Sequence, residues 1–463
     1  VPAILTEAQA MAISANGNPF TLEYTADGHA IKSTCFTNYC DIMEKDAYLS
    51  GKIRQNLLDG RPEVEGFFWD AERHPIRDTD MYQIRRFIDR LYEINNEKNI
   101  RQAVAVTAGN HAYHPIREYL QGLTWDGTSR LQDLFPRYLG AERSGYTTAV
   151  TRLLFSGAIQ RIFNPGVKFD YCIILQDTKQ GTGKSTLCRA IALNDEWFTD
   201  SVGDLSDSKK AFESIRGKWI VELGELIAVR KTKDVEAIKA FISRQQDIYR
   251  DPYGIYPEAY KRQAVFIGTT NKPQFLPEDR TGNRRFIPLK CNGDQQEIHP
   301  MENEEETREY VRQCYAEVMA SGAYTMVLPV EYLETLQNAQ EEATPEDTWI
   351  GMIQQFLDDS PELTIVCTRL IWHALFAGDQ EREPKRYELN DIADIMELHV
   401  SGWKRYAGKH GNNRKAKYKF EVYGAQNAWV RIGATDRKKV ASVASAEGEE
   451  GFTPIDKYES IPF

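Results

Sequence analysis

Between Tyr171 and Ser185 the chain passes from an unbroken apolar run, Tyr171-Cys172-Ile173-Ile174-Leu175, through a glycine-bearing loop into a helical stretch that begins near Lys184. A short apolar run of this length, bounded by turn residues, reads as a strand buried on both faces, the kind found in parallel sheets. Two more strand signals follow at intervals that leave room for helices: Trp219-Ile220-Val221 and Ala264-Val265-Phe266-Ile267. Strands alternating with helices predict an α/β fold with a parallel-sheet core over residues 169–300.

The loop, residues 178–185, reads T-K-Q-G-T-G-K-S, against the phosphate-loop pattern G-x-x-x-x-G-K-[ST]. Gly181 and Gly183 let the backbone curl so that successive N–H groups face phosphate oxygens, and the following helix adds its positive end. Gln180, Gly181, Thr182, Gly183, Lys184, Ser185 and Thr186 are therefore the expected nucleotide cradle, with ATP and Mg²⁺ as ligands. Lys184 reaches the β/γ-phosphates and the Ser185 hydroxyl ligates Mg²⁺. Thr178 stands where the pattern has its first glycine. It removes no phosphate donor but could shift the start of the loop.

Such a loop needs an acid at the end of a neighbouring strand. Glu222, closing Trp-Ile-Val-Glu, is assigned to metal and water, with Glu225 a second candidate for general base. Asn271 ends Ile-Gly-Thr-Thr-Asn, where an amide can sense the γ-phosphate or orient water. Arg280, Arg284 and Arg285 follow within Asp-Arg-Thr-Gly-Asn-Arg-Arg-Phe and are candidates for a finger that neutralises transition-state charge. Solvated acids and surface ion pairs are the plain alternatives for these residues. Between the acid and Asn strands lie Tyr249-Arg250-Asp251-Pro252-Tyr253-Gly254 and Tyr260-Lys261-Arg262. Aromatics interleaved with bases on a Pro-Gly turn suit a hairpin touching a DNA strand through Arg250, Tyr253, Lys261 and Arg262, although an ordinary turn would look similar.

Around this core the chain divides further. Residues 1–115 predict an α+β or helical domain, with Ile84, Phe87, Ile88 and Leu91 on one helical face. Residues 116–168 read as a helical collar and 301–343 as an acidic helical connector. Residues 344–435 suggest a winged helix: a cap at Thr344-Pro345, a stripe of Trp349, Ile353, Phe356 and Leu357, a strand near Ile365-Val366, helices over 369–377 and 390–399, and a closing hairpin. In that hairpin Tyr418, Phe420 and Val422 are expected to pair with Trp429-Val430-Arg431-Ile432. Beyond about residue 436 the chain is Ser/Glu/Gly-rich and reads as a flexible tail.

Charge follows the same divisions. The net charge of −11 argues against coating nucleic acid with the whole surface. Residues 301–350 hold 12 acids against two bases, whereas 401–440 hold 11 bases against two acids, a local net of +9. Lys415, Lys417 and Lys419 are the expected phosphate contacts of that basic unit. The seven cysteines include no Cys-x-x-Cys pair, and neither Cys35/Cys40 nor His111/His114 has a partner set for zinc. No apolar run approaches the roughly 18 residues of a membrane span. The Val-Pro-Ala-Ile-Leu start lacks a signal-peptide pattern, so a cytoplasmic location without membrane partners is expected. Residue 1 is not Met, so an upstream piece is expected to be missing or trimmed.

Several stretches, taken in order, resemble the virulence-associated protein E family of phage and mobile-island ATPases, which is similar to superfamily-three helicases of the AAA+ class. They are His114-Pro-Ile-Arg-Glu-Tyr-Leu, Leu123-Thr-Trp-Asp-Gly, Pro165-Gly-Val-Lys-Phe-Asp, Gln180-Gly-Thr-Gly-Lys-Ser and Val221-Glu-Leu-Gly-Glu-Leu. Lys239-Ala-Phe-Ile-Ser, Tyr249-Arg-x-Pro-Tyr-Gly, Gly268-Thr-Thr-Asn and Thr281-Gly-Asn-Arg-Arg-Phe continue the series, which extends to Gly402-Trp403 and Tyr423-Gly424-Ala-Gln. The resemblance implies a ring, hexameric or similar, with ATP between subunits, arginines acting in trans, and a role in replicating phage or island DNA, single-stranded or forked. It also matches Lys239 to a basic position facing nucleotide or a neighbouring subunit. An ATP-dependent helicase or translocase is the leading expectation. An origin-binding initiator or helicase loader without unwinding activity is the alternative, and a small-molecule kinase shares only the phosphate loop. The ending Ile461-Pro462-Phe463 resembles the tip of single-stranded-DNA-binding proteins, which implies docking on host replication proteins.

Overall fold

The computed structural model describes residues 5–202, 207–224, 232–250, 256–276, 283–345, 348–377, 382–408 and 416–433. The chain forms two compact units, Val1–Pro345 and Glu346–Phe463. No helix among the described residues is long and apolar enough to cross a membrane.

The first unit begins with helices α1 (Glu7–Ala15) and α2 (Phe36–Lys45), then strands β1 (Ile53–Asn56), β2 (Arg61–Val64) and β3 (His74–Pro75), then α3 (Asp78–Tyr92) and α4 (Glu97–Asn110). The three strands form an antiparallel sheet in the order β1-β2-β3. The helices close on a shared core in which Tyr39, Ile42, Ile84, Phe87, Ile88 and Ile100 are buried. The expected stripe on α3 lies inward at three positions, and Leu91 is only partly covered.

Next come α5 (Pro115–Gln121), α6 (Leu134–Leu139) and α7 (Gly145–Phe163). The last of these is apolar nearly all round, as a helix enclosed on every side must be, and Val150, Leu153, Leu154, Ile159 and Ile162 are fully buried. Gly157 is required there: a Cβ at this position would lie 2.3 Å from the Phe169 ring. Rather than forming a separate collar, α7 shares its core with the sheet that follows.

That sheet comprises β4 (Cys172–Gln176), which leads to α8 (Lys184–Ile191), β5 (Phe198–Thr199), α9 (Ser208–Ile215) and β6 (Ile220–Leu223). Then come α10 (Thr232–Ser243), the ribbon β7 (Gln246–Tyr249) and β8 (Glu258–Lys261), β9 (Val265–Thr270) and β10 (Phe286–Lys290). Five strands run parallel in the order β10-β4-β9-β6-β5. The loop-bearing strand β4 is therefore interior, with Cys172–Gln176 paired on one side to Phe286–Lys290 and on the other to Phe266–Thr270.

The acidic segment departs from expectation. Helix α11 (Glu304–Ser321) buries Val311, Cys314, Tyr315 and Val318 in the main core, and the Tyr315 hydroxyl donates to the Ile191 carbonyl at 3.0 Å. Glu317 accepts from the Ser129 hydroxyl and from the N–H groups of Arg130 and Leu131. This stretch is structural framework rather than a connector. Helix α12 (Leu333–Ala343) ends the unit.

The second unit contains α13 (Thr348–Asp359), β11 (Ile365–Cys367), α14 (Thr368–Phe376), α15 (Arg386–Leu398), β12 (Trp403–Arg405), β13 (Tyr418–Phe420), β14 (Gly424–Gln426) and β15 (Ala428–Arg431). One three-stranded antiparallel sheet has the order β11-β15-β12. Here the expected hairpin is corrected: β13 pairs with β14, not with Trp429–Ile432. Trp429 is 1% exposed and packs with Trp372, Ile392 and Trp403, so its strand takes the central place in the other sheet.

Candidate functional site

The site is built where the parallel strands end. Residues leaving the carboxyl edge of such a sheet converge on one crevice, the usual ligand position in open α/β folds. Gly183 caps α8 with φ 84° and Gly181 has φ 74°, backbone conformations that side chains rarely adopt. Thr178 is not among the positive-φ residues, so its place in the motif requires no glycine.

Lys184 is 8% exposed, and its Nζ donates to Asn271 Oδ1 at 2.8 Å. Longer bonds of 3.3 Å reach the Lys179 carbonyl and the Thr182 hydroxyl. Burial lowers its pKa below the ordinary lysine value, opposed mainly by the charge of Asp177. Ser185 Oγ donates to Glu222 Oε1 at 2.6 Å, and Thr269 Oγ1 donates to the same oxygen at 2.6 Å. The other carboxylate oxygen, Glu222 Oε2, is buried and has no hydrogen-bond partner. An orphaned anionic oxygen beside a serine hydroxyl at a phosphate loop is what a divalent cation or its water would satisfy. The residues present therefore fit a Mg²⁺–nucleotide ligand. The cleft, about 710 Å³, is lined by the loop residues 180–186 and by Glu222, Thr269, Asn271 and Met301.

A segment with no motif of its own closes on this loop. His299 Nε2 lies 2.9 Å from the Gly181 carbonyl. A Cβ at Gly183 would meet Pro300 Cδ at 2.6 Å, and one at Gly293 would meet Thr182 Cγ2 at 2.4 Å. Asp177 bridges the two segments, accepting from the N–H groups of Lys179 and Gly293, each at 2.9 Å. No pattern marks His299 in the sequence; its signal is tertiary.

The arginines lie elsewhere. Arg285 and the exposed Arg284 precede β10, and the Arg285 carbonyl accepts from the Cys172 N–H at the start of β4. They sit at the amino edge of the sheet, roughly 16 Å along five residues of strand from the loop. Arg285 Nε donates to Ser243 Oγ at 2.6 Å. Lys239 is buried in α10, at 3% exposed. Glu225 and Arg280 lie outside the described residues.

Of the expected DNA contacts, Arg250 and Lys261 are exposed on the β7–β8 ribbon, while Tyr253 lies outside the described residues. Arg262 differs from the exposed contact expected of it: its side chain is 2% exposed and forms a buried ion pair with Asp247 at 2.6 Å. Lys417 and Lys419 are exposed at β13; Lys415 and the ending Ile461-Pro462-Phe463 lie outside the described residues.

Residues 120–347 match the family model described as a virulence-associated protein E-like domain. No curated protein gives a match. An A-form apo structure of the NrS-1 C-terminal region (305–718) is 13% identical, with a TM-score of 0.45, covering 82% of this chain and 96% of that one. A further apo structure of the same region is 12% identical, with a TM-score of 0.46 and the same coverage.

Proposed function

Residues 120–347 form a virulence-associated protein E-like domain, and from that premise we propose that the chain is an ATP-hydrolysing AAA+ motor that drives a ring on DNA during phage or mobile-element replication. The observation that carries this reading is the convergence of Lys184, Ser185, Glu222 and Asn271 at the carboxyl edge of the sheet, with Glu222 Oε2 left unsatisfied. The strand order β10-β4-β9-β6-β5 supports an AAA+ core, with the phosphate-loop strand between the last strand and the one that leads to Asn271.

On this reading Lys184 exchanges its weak carbonyl and hydroxyl bonds for β/γ-phosphate oxygens. A bound Mg²⁺ would supply charge neutralisation at the phosphates. Ser185 and Glu222 would hold the metal, and Glu222 Oε2, already unpartnered, is the carboxylate oxygen placed to orient water. Asn271, already bonded to Lys184, responds to the same exchange and so couples β9 to nucleotide state. Arg284 and Arg285 are too far along the strands to serve the nucleotide of their own subunit, which favours action across a subunit boundary.

The second unit supports a DNA-binding role. Its order of helix, strand, two helices, strand, ribbon and strand suits a winged helix, with the basic β13–β14 ribbon as the wing. That feature also suits the second reading, an initiator or loader that binds duplex without unwinding it. Strand displacement on a forked duplex with and without ATP separates the two. ATP-dependent displacement supports the motor, DNA-stimulated hydrolysis without displacement supports the initiator, and an absence of hydrolysis rejects both.

A further inference from the structure

Away from the nucleotide cleft, a cavity of about 310 Å³ opens between the turn after β1 and the base of the β7–β8 ribbon. Its lining includes Arg117, Arg216, Lys218, Lys261 and Arg262, and Asp247 is the only acid among the described lining residues, with Asp59 beside Arg216 behind them. The buried Arg262–Asp247 pair cancels internally and Asp59 faces Arg216, so the remaining positive charge comes from Arg117, Lys218 and Lys261. How these cations are held is informative. Arg117 Nη2 donates to the Ile162 carbonyl at 3.0 Å, while its Nε is buried without a partner. Lys218 Nζ donates to the Glu196 carbonyl at 2.8 Å. Among the described residues, no carboxylate lies within ion-pair distance of Arg117, Lys218 or Lys261. Neutral carbonyls orient a cation without cancelling its charge, and half-buried cations left in that state favour an anionic ligand.

We propose that this cavity holds the phosphodiester backbone of a single DNA strand, at the base of the ribbon and on the opposite edge of the sheet from ATP. The volume is at the small end for ligand pockets, enough for one sugar-phosphate step and far too narrow for a duplex. Its walls are well fixed. Tyr249 and Tyr260 pack on Phe212 with ring centroids 4.9 and 5.2 Å away. Gln263 ties the base of the ribbon to the preceding domain, donating to the Leu57 carbonyl at 3.0 Å and bonding His114 Nε2 at 2.6 Å. A strand seated here would touch the ribbon and the amino-terminal domain at once.

This inference rests on the DNA-motor reading, and its test is chosen to fail separately. The probe is a fluorescent oligodeoxythymidylate titrated at several salt concentrations against wild type, Lys218→Gln/Lys261→Gln and Lys218→Arg/Lys261→Arg. The double glutamine variant is expected to bind about tenfold more weakly, with the log–log salt slope reduced by about 0.7 for each phosphate no longer neutralised. The arginine variant is expected to restore both, and all three should melt alike because neither lysine is core. Equal affinity and slope in the glutamine variant, with wild type binding well, overturns the strand site. No DNA binding by wild type instead removes the motor reading itself. Inorganic pyrophosphate, titrated into a Lys184→Ala background, covers a free polyphosphate as occupant. Pyrophosphate binding that disappears with Lys218→Gln, while oligonucleotide affinity stays unchanged, also overturns the proposal.

Discussion

The two edges of the central sheet handle charge in opposite ways. At the carboxyl edge most polar and charged groups answer to a neighbour: Lys184 to Asn271, Ser185 to Glu222, and Lys179 to Asp294. Among the described residues there, one buried carboxylate oxygen, Glu222 Oε2, is unsatisfied. At the amino edge, Arg284 is exposed, and Arg117 and Lys218 are held by carbonyls. A site that binds its ligand within one subunit can close its hydrogen bonds before the ligand arrives. On the proposed reading, the amino edge meets another subunit or a DNA strand and keeps charge uncompensated until that partner supplies it.

The largest expected effect tests that division directly. Arg284→Ala/Arg285→Ala should lower ATP turnover by about 10³–10⁵-fold if these arginines complete a neighbour's site. Mixing this inactive chain with an inactive Lys184→Ala chain should then recover partial turnover, because some interfaces pair an intact loop with intact arginines. If the double variant alone retains full turnover, the amino edge is a passive surface and the comparison breaks. The carboxyl edge has its own test. Lys184→Ala should cut turnover by about 10²–10³-fold with no change in melting temperature. Glu222→Gln should retain ATP in equilibrium binding while slowing hydrolysis. Normal turnover in both variants would remove the assignment of this edge.

The two edges are not equally legible in the sequence. The phosphate loop can be read because all of its parts lie within eight residues, and Glu222 and Asn271 because each closes a visible apolar run. Arg262 reads as an exposed base, whereas it is buried against Asp247, a partner fifteen residues away across a ribbon. Alternation along that strand, with Lys261 outward and Arg262 inward, is the signal that separates them. The acidic helix α11 shows how composition can mislead. Its stripe Val311, Cys314, Tyr315 and Val318 follows the i, i+3, i+4, i+7 spacing of a buried face. Twelve acids in the surrounding fifty residues mask those four positions. The cavity below the ribbon cannot be read at all, since its lining comes from separate segments spread between Leu57 and Ala264.

In the second unit the same contrast occurs on a smaller scale. Helix α15 carries the exposed acids Asp394 and Glu397, whereas β13 presents Lys417 and Lys419. Lys417→Gln/Lys419→Gln should weaken duplex binding several-fold and reduce its log–log salt slope by about 0.9 for each phosphate no longer neutralised. A slope equal to that of wild type would mark these lysines as guards of a short ribbon edge rather than phosphate contacts. Attention would then pass to the exposed Arg386 and Asn390 at the start of α15.

The smallest expected effect concerns the segment that closes over the phosphate loop. His299 makes one bond to the Gly181 carbonyl, at 2.9 Å, and stands beside Pro300, whose ring lies against Gly183. A single hydrogen bond of this kind is worth about 0.5–1.5 kcal/mol net, so His299→Ala should weaken ATP binding by no more than about tenfold. The direction matters more than the size. With His299 in place, the Gly181 carbonyl is engaged before nucleotide arrives. Without that anchor, the loop must be ordered when nucleotide binds, so affinity should fall while turnover at saturating ATP is retained. His299→Gln, which can still donate to the carbonyl, should recover most of the loss. If the alanine variant instead lowers saturated turnover and leaves affinity unchanged, His299 contributes to the chemical step, and the carboxyl edge is less complete than its hydrogen bonds imply.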